Sequence, residues 1–371
     1  MLVDMNIWPD SRINQLFDIE YPIIQAPMAG SNDADLVIAV SKAGGLGSLP
    51  CALLSPEKIR DEIKRIRSQV DRPFNLNFFC HKQTAPDAAK ESVWKDSLRT
   101  YYGELGLDPQ VPSPMGTRHP FDDESCRIVE EFKPAVVSFH FGLPEERLVA
   151  RVKAAGCQVM SSATTVEEAI WLEKHGCDAI IAQGFEAGGH RGIFLSRDIE
   201  NQVGTIALVP QVVDAVQVPV IASGGIADAR GILAAFALGA AAVQIGTAFL
   251  LATEARTSAI HRRSLQSTRD NQTVLTNLFT GRPARGIVNR LIQDQGALSD
   301  QVPEFPHAAG ALMPLRLAAE AQGRGDFSPL WSGQAARLAK ELPAADIIKA
   351  LVADVQSRVG RGRGGDCDRT Q

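Results

Sequence analysis

The sequence predicts an α/β fold: a parallel (β/α)8 TIM barrel with an added lid domain after its eighth strand. Three observations carry this expectation. Eight short apolar runs ending in small or polar residues recur through the first two-thirds of the chain. Segments with helical spacing separate most of them, the pattern of repeated βα units. The 371 residues, 45% of them hydrophobic, suffice for one large barrel core. A doubly wound sheet is the architectural alternative that periodicity alone leaves open.

The eight predicted strands fall at residues 23–28, 45–49, 75–79, 135–140, 158–162, 179–182, 218–222 and 242–246. Between them, Leu36, Val37, Ala39 and Val40 have helical spacing, as do Ile59, Ile63 and Ile66. Residues 145–155, 165–175 and 228–238 fit the same period, several opened by Thr, Ser or Asp caps. Two segments exceed a minimal barrel. Residues 81–133 form a Pro-rich stretch with Tyr101, Tyr102, Pro109, Pro112 and Pro114, too long for an ordinary βα connection and expected to form helices over the barrel mouth.

The second extra segment, 253–324, reads as a lid or substrate domain and carries GRPARG at 281–286. The barrel would occupy 1–252 and be completed by 325–358, entered through Phe327 and Trp331 and ending in a helix. The glycine-rich residues 359–371 read as a disordered tail.

Composition narrows the function classes. The net charge is −5 and no basic cluster is interleaved with aromatics, which argues against nucleic-acid or membrane-surface binding. No apolar run reaches the roughly 18 residues of a membrane span; residues 232–251 are rich in Ala and Gly and broken by Gln244, so they read as a helix followed by a strand. The first residues lack a basic region followed by an apolar one, so no signal peptide is expected and the location is taken as cytoplasmic. Six scattered cysteines without a CxxC pair read as reduced thiols, with no metal site.

The chemistry concentrates in QGFEAGGHRG at 183–192, directly after strand six. Its glycines permit sharp turns and close approach to a flat ligand. Among them stands His190, a side chain whose proton moves easily near neutral pH. Strand seven ends in Ser223, Gly224 and Gly225, followed by Asp228 as a helix cap. Strand eight ends in Gln244, Ile245, Gly246 and Thr247. In barrels the loops after strands seven and eight commonly form a phosphate site, built from backbone N–H groups and a short helix N-terminus. Ala26, Met28, Asn77 and Gln183 at other strand ends could frame an isoalloxazine ring. FMN fits better than FAD or NAD, because nothing suggests an adenosine pocket or a GxGxxG after strand one.

These pieces resemble the nitronate monooxygenases, class I branch. The resemblance rests on QGFEAGGHRG together with QAPMAG at 25–30, NLNFFCH at 75–81, SFHFG at 138–142, ASGGI at 222–226, QIGTAFL at 244–250, FTGRPARG at 279–286 and PLWSGQ at 329–334. The histidine loop alone is shared with flavin-dependent enoyl-acyl carrier protein reductases and quinone reductases. The resemblance implies an FMN barrel that oxidises alkyl nitronates, such as propionate 3-nitronate, with O2 through a flavin semiquinone. The products would be an aldehyde or oxo-acid and nitrite. It also implies FMN contacts at Asn77, Gln183, Gly188, Gly225 and the backbone of Gln244–Thr247, with His190 as the catalytic residue. Family members often place tyrosines around the substrate; here Phe305 stands where an aromatic hydroxyl is expected.

A nitronate already carries the electrons to be removed, so His190 would position it, whereas a neutral nitroalkane needs His190 as a base. His140 and His81 are further candidates, as are Arg285 and Arg290 for a substrate carboxylate. Arg191 reads as structural, Trp331 as a core anchor and Glu186 as a brace of the loop. The alternatives are an NAD(P)H-dependent flavin reductase acting on quinones or enoyl thioesters, a non-catalytic flavin-binding redox sensor, and a non-flavin barrel enzyme. Expected partners are the small nitronate and O2, in a monomer or homodimer.

Overall fold

The computed structural model describes residues 7–111 and 118–364. Pro112, Pro114 and the end of the expected tail lie outside the described residues. Eight parallel strands form the barrel: Ile23–Gln25, Gly47–Pro50, Phe74–Phe79, Val136–His140, Gln158–Ala163, Ala179–Gln183, Val220–Ser223 and Ala242–Ile245. Each pairs with its neighbour in the chain, and strand eight returns to strand one with Ile24 opposite Gln244. A single bridge between Ile24 and Leu46 joins strands one and two, so the ring closes.

Side chains alternate across each strand, and this sets the contents of the barrel. Outward residues such as Leu76, Val137, Ile180, Ala222 and Val243 join the core beneath the helices. Inward residues form two layers. The lower is an apolar plug that includes Ile24, Leu46, Met160, Ile181 and Ile221. The upper is small or polar at nearly every strand: Ala26, Asn77, Ser138, Ser162, Gln183, Ser223 and Gln244. The floor of the site is therefore written into the strands themselves.

Capping fixes where the helices begin. Asp33, Ser55, Thr165 and Asp228 each accept a hydrogen bond from a first-turn amide, opening Ala34–Lys42, Pro56–Gln69, Val166–Lys174 and Ala229–Ala237. Each such cap contributes about 1 kcal/mol. Gly47 is required by packing, since a Cβ there would lie 2.8 Å from Val37 Cα on the covering helix.

A second core sits apart from the barrel. Trp94, Tyr101 and Tyr102, from helices Ala88–Ser97 and Arg99–Glu104, and Leu98 between the two helices pack with Phe279, Leu291, Leu312, Leu315 and Phe327. The lid thus draws on both long segments, where the sequence suggested 253–324 by itself. The helices over the mouth could not be assigned to this core from spacing, because their apolar partners lie some 200 positions further along the chain (Tyr102 Oη donates to Ala311 O, a separation of 209). The last helix, Ala344–Gly364, packs between Ala34–Lys42 and Ala229–Ala237. The helix includes residues 359–364, the first six of the positions read as tail. No helix among the described residues is long and apolar enough to cross a membrane.

Candidate active site

One cavity opens at the C-terminal ends of the barrel strands. Ala26, Met28, Asn77, Gln183, Gly188, Ser223, Gly224, Gly225, Gln244, Gly246 and Thr247 all line it together with His190. Ile245 does not. Strand alternation turns its side chain into the outer core, and its carbonyl accepts from Ala26 N at 2.9 Å.

The histidine loop is fastened at several points. Gln183 Nε2 donates to His190 O at 2.9 Å, and its Oε1 accepts from Gly192 N at 2.8 Å, so one amide spans the loop. Arg191 is fully buried and donates to the carbonyls of Gln183 and Gly184 and to Gln202 Oε1. Burial, then Arg285, lowers its pKa to about 10. Glu186 turns away from the cavity and accepts from Thr205 N at 2.8 Å, bracing the start of helix Thr205–Ala215. Buried Glu168 accepts from Phe194 N and holds the far end of the loop.

The lid also grips this loop. Gly189–His190 forms the edge of a three-stranded antiparallel sheet with Ala284–Ile287 and Thr273–Thr276, placing His190 opposite Ala284. Gly188 meets the returning chain so closely that a Cβ there would lie 2.6 Å from Ser332 C. Hence the FTGRPARG and PLWSGQ segments, distant in sequence, shape the position of one histidine.

His190 Nε2 lies 2.9 Å from Thr280 Oγ1. Thr280 Oγ1 is also 3.3 Å from Arg282 O, so its hydroxyl proton can point to either neighbour. Around the imidazole stand Phe141 at 5.9 Å, Phe305 at 5.6 Å and Trp331 at 5.5 Å between ring centroids. Burial, then the charge of Arg118, holds the His190 pKa well below the ordinary histidine value. The ring is therefore neutral at pH 7.

The remaining candidates sort by location. His140 lines the cavity, its Nδ1 3.1 Å from Ser162 Oγ, with burial lowering its pKa to about 3. His81 lies behind the wall, 4.8 Å from the Phe305 ring, and burial lowers its pKa to about 4. Arg285 is buried against Phe185, with Nε donating to the Phe185 carbonyl at 3.1 Å. Arg290 pairs with Glu104 at 2.6 Å. Neither Arg285 nor Arg290 is part of the cavity wall, whereas Trp331, expected in the core, is.

Sequence reasoning missed three contributors. Thr280 sits within the quoted FTGRPARG segment, and its hydroxyl was a usable signal. Phe141 occupies the left-handed region with φ 72, just before Gly142 with φ 90, and this turn brings its ring to 5.9 Å from the His190 imidazole. Arg118 comes from the long stretch over the mouth and carried no signal of its own.

Comparison with known proteins agrees with this geometry. A family model described as "Nitronate monooxygenase" matches residues 10–354. A nitronate monooxygenase of Pseudomonas aeruginosa is 43% identical over 93% of this chain and 99% of its own length. One from Paraburkholderia phytofirmans is 40% identical over 93% of this chain and 94% of its own. Among solved structures, nitroalkane oxidase from Streptomyces ansochromogenes superposes with a TM-score of 0.86 at 36% identity, covering 95% of this chain and all of that one. FabK from Thermotoga maritima gives 0.71 at 28% identity, covering 95% of this chain and 98% of that one. A barrel of eight parallel strands, a histidine loop gripped by a lid and a match along nearly the whole length together show that the chain belongs to the nitronate monooxygenase family of flavin-dependent oxidoreductases.

Proposed function

We propose that this enzyme binds FMN and oxidises alkyl nitronates with O2 to a carbonyl product and nitrite. The observation that carries the reading is His190, neutral and half-enclosed by aromatic rings, in the cavity that also contains the glycine cradle. The cradle suits a phosphate: Gly224 and Gly225 have φ of 121 and 69, and Thr247 opens a short helix. Gln244 Oε1 is buried without a hydrogen-bond partner among the described residues. An orphan of this kind costs about 1–3 kcal/mol, which a donor on a bound ligand would offset. Asn77, held by Ser138 Oγ at 2.9 Å, and the Gln183 amide would frame the ring system.

FMN in this place supplies an electron acceptor. The protein supplies position and proton control. With the Thr280 hydroxyl turned to Arg282 O, His190 Nε2–H donates to Thr280 and Nδ1 is free to take a carbon-bound proton from a neutral nitroalkane. With the hydroxyl turned to Nε2, Nδ1 carries the proton and can donate to a nitronate oxygen. Phe141, Phe305 and Trp331 exclude water around both states, which strengthens these bonds.

The test mixes purified yellow protein anaerobically with propionate 3-nitronate and, separately, with NADH. Bleaching of the flavin by the nitronate, and nitrite release once O2 is admitted, is the expected result. Rapid bleaching by NADH with no response to the nitronate would assign a flavin reductase instead.

A further inference from the structure

The cavity wall holds a cation that the fold itself does not use. Arg118 stands among the residues that line the cavity with His190 and Phe79. Its guanidinium carbon lies 5.6 Å from the Phe305 ring centroid, and it makes no ion pair or hydrogen bond through its side chain with any described residue. Glu304, next to Phe305 in the chain, pairs with Arg197 at 3.1 Å, and the charged neighbour that acts on Arg118 is another cation, Arg316, itself paired with Glu320 at 2.7 Å. No Asp or Glu is among the described residues that line the cavity.

Its place in the barrel separates Arg118 from the cradle. Pro120 bridges Phe79 at the end of strand three, and Phe121 N donates to Phe79 O at 2.8 Å, anchoring this stretch there. The cradle follows strands seven and eight. In the closed order of eight, strand seven lies across the ring from strand three, so a phosphate in the cradle leaves Arg118 unanswered. A partly desolvated guanidinium without a counter-charge is unfavourable until an anion arrives. Its planar fork matches a carboxylate with two parallel N–H···O bonds.

We propose that Arg118 is a specificity-determining residue that docks a carboxylate on the substrate's carbon chain, favouring carboxylated nitronates over simple alkyl ones. This rests on the nitronate reading given above. It assigns the two negative groups of such a substrate to different partners. The nitronate lies by His190, and the carboxylate lies by Arg118 beside Phe305. The aromatic rings between them accommodate the methylene chain.

The test compares wild-type holoenzyme with Arg118→Gln and Arg118→Lys, using propionate 3-nitronate and propyl 1-nitronate as the paired substrates. Flavin content and thermal midpoint are measured on each variant, and kcat is expressed per bound flavin. In Arg118→Gln, KM for propionate 3-nitronate should rise at least about tenfold, and the ratio of kcat/KM between the two substrates should fall by a similar factor. Arg118→Lys should recover part of that ratio, since the charge remains and the fork is lost. An equal loss on both substrates, or no change in the ratio, overturns the proposal.

Should the wild type oxidise neither nitronate, the functional reading falls, and Arg118 is judged by binding instead. The visible spectrum of the bound flavin is then titrated with 3-nitropropionate and with 1-nitropropane. A preference for the carboxylated ligand that disappears in Arg118→Gln supports the assignment; a preference that is absent or unaltered by the substitution overturns it.

Discussion

His190 Nε2 lies 2.9 Å from the Thr280 hydroxyl, a contact between residues 90 positions apart that sets which imidazole nitrogen meets the substrate. Thr280→Val removes the hydroxyl and leaves Nε2 facing a methyl group. Steady-state rates should then fall about 10–100-fold with nitroethane, less than the roughly 10²–10⁴-fold ascribed to proton transfer by a positioned base, because the imidazole itself remains. His190→Asn should cost more than this with nitroethane while retaining bound flavin, and should cost less with ethyl nitronate, which needs no deprotonation. Undiminished nitroethane turnover in His190→Asn removes the base from the mechanism.

The pH dependence follows from the depressed His190 pKa. A base acts only when unprotonated, and protonation here requires a pH well below the ordinary histidine value of about 6.5. The enzyme limb of kcat/KM for nitroethane should therefore stay level from about pH 8 down through 6.5 and decline only at more acid pH. An inflection centred near the ordinary value would show an imidazole exposed to solvent.

Gly188 tests the contact between the histidine loop and the returning chain. A Cβ at this position would lie 2.6 Å from Ser332 C and closer still to Gly333 N, both backbone atoms that cannot swing aside. Gly188→Ala should lower stability by about 1–3 kcal/mol, the usual cost of overpacking, and reduce flavin retained through purification. Chemical denaturation and the ratio of visible to ultraviolet absorbance measure the two effects. Wild-type values for both would mean that the loop and segment 331–334 separate easily.

Arg191 tests how the loop is braced from beneath. Its guanidinium reaches three oxygens at once, on Gln183, Gly184 and Gln202. Lysine keeps the charge but loses the planar fork, and the buried carbonyls lose partners. Arg191→Lys should be destabilised by about 2 kcal/mol, from bonds involving a charged donor. A urea midpoint equal to that of the wild type would show that the loop holds its shape without this brace.

Much of this architecture is legible in the sequence, and the reason lies in short-range geometry. Strand alternation and helical spacing are local properties, so eight strands could be placed within a few residues of their observed positions. The upper polar layer follows from the same period: Asn77, Gln183, Ser223 and Gln244 each stand two residues beyond a residue of their own strand that also faces inward. The cradle glycines are local too, since their φ values depend on the turn they form.

Other features depend on contacts that no local pattern encodes. The lid core joins Trp94 and Tyr102 to Leu312 and Phe327, and the pairing of Gly189–His190 with Ala284–Ile287 brings Thr280 to the imidazole. Arg118 reaches the cavity because its loop is anchored on strand three and stacked on Phe305. The sequence alone determined the eight βα repeats, the polar floor and the histidine loop, through periodicity and backbone freedom, while the closure of the sheet through Ile24 and Leu46 is a property of the tertiary structure. Only the tertiary structure decided the protonation state of His190, its tautomer partner and the charge of the wall. Desolvation and long-range Coulomb interactions are properties of the packed cavity and of no single segment.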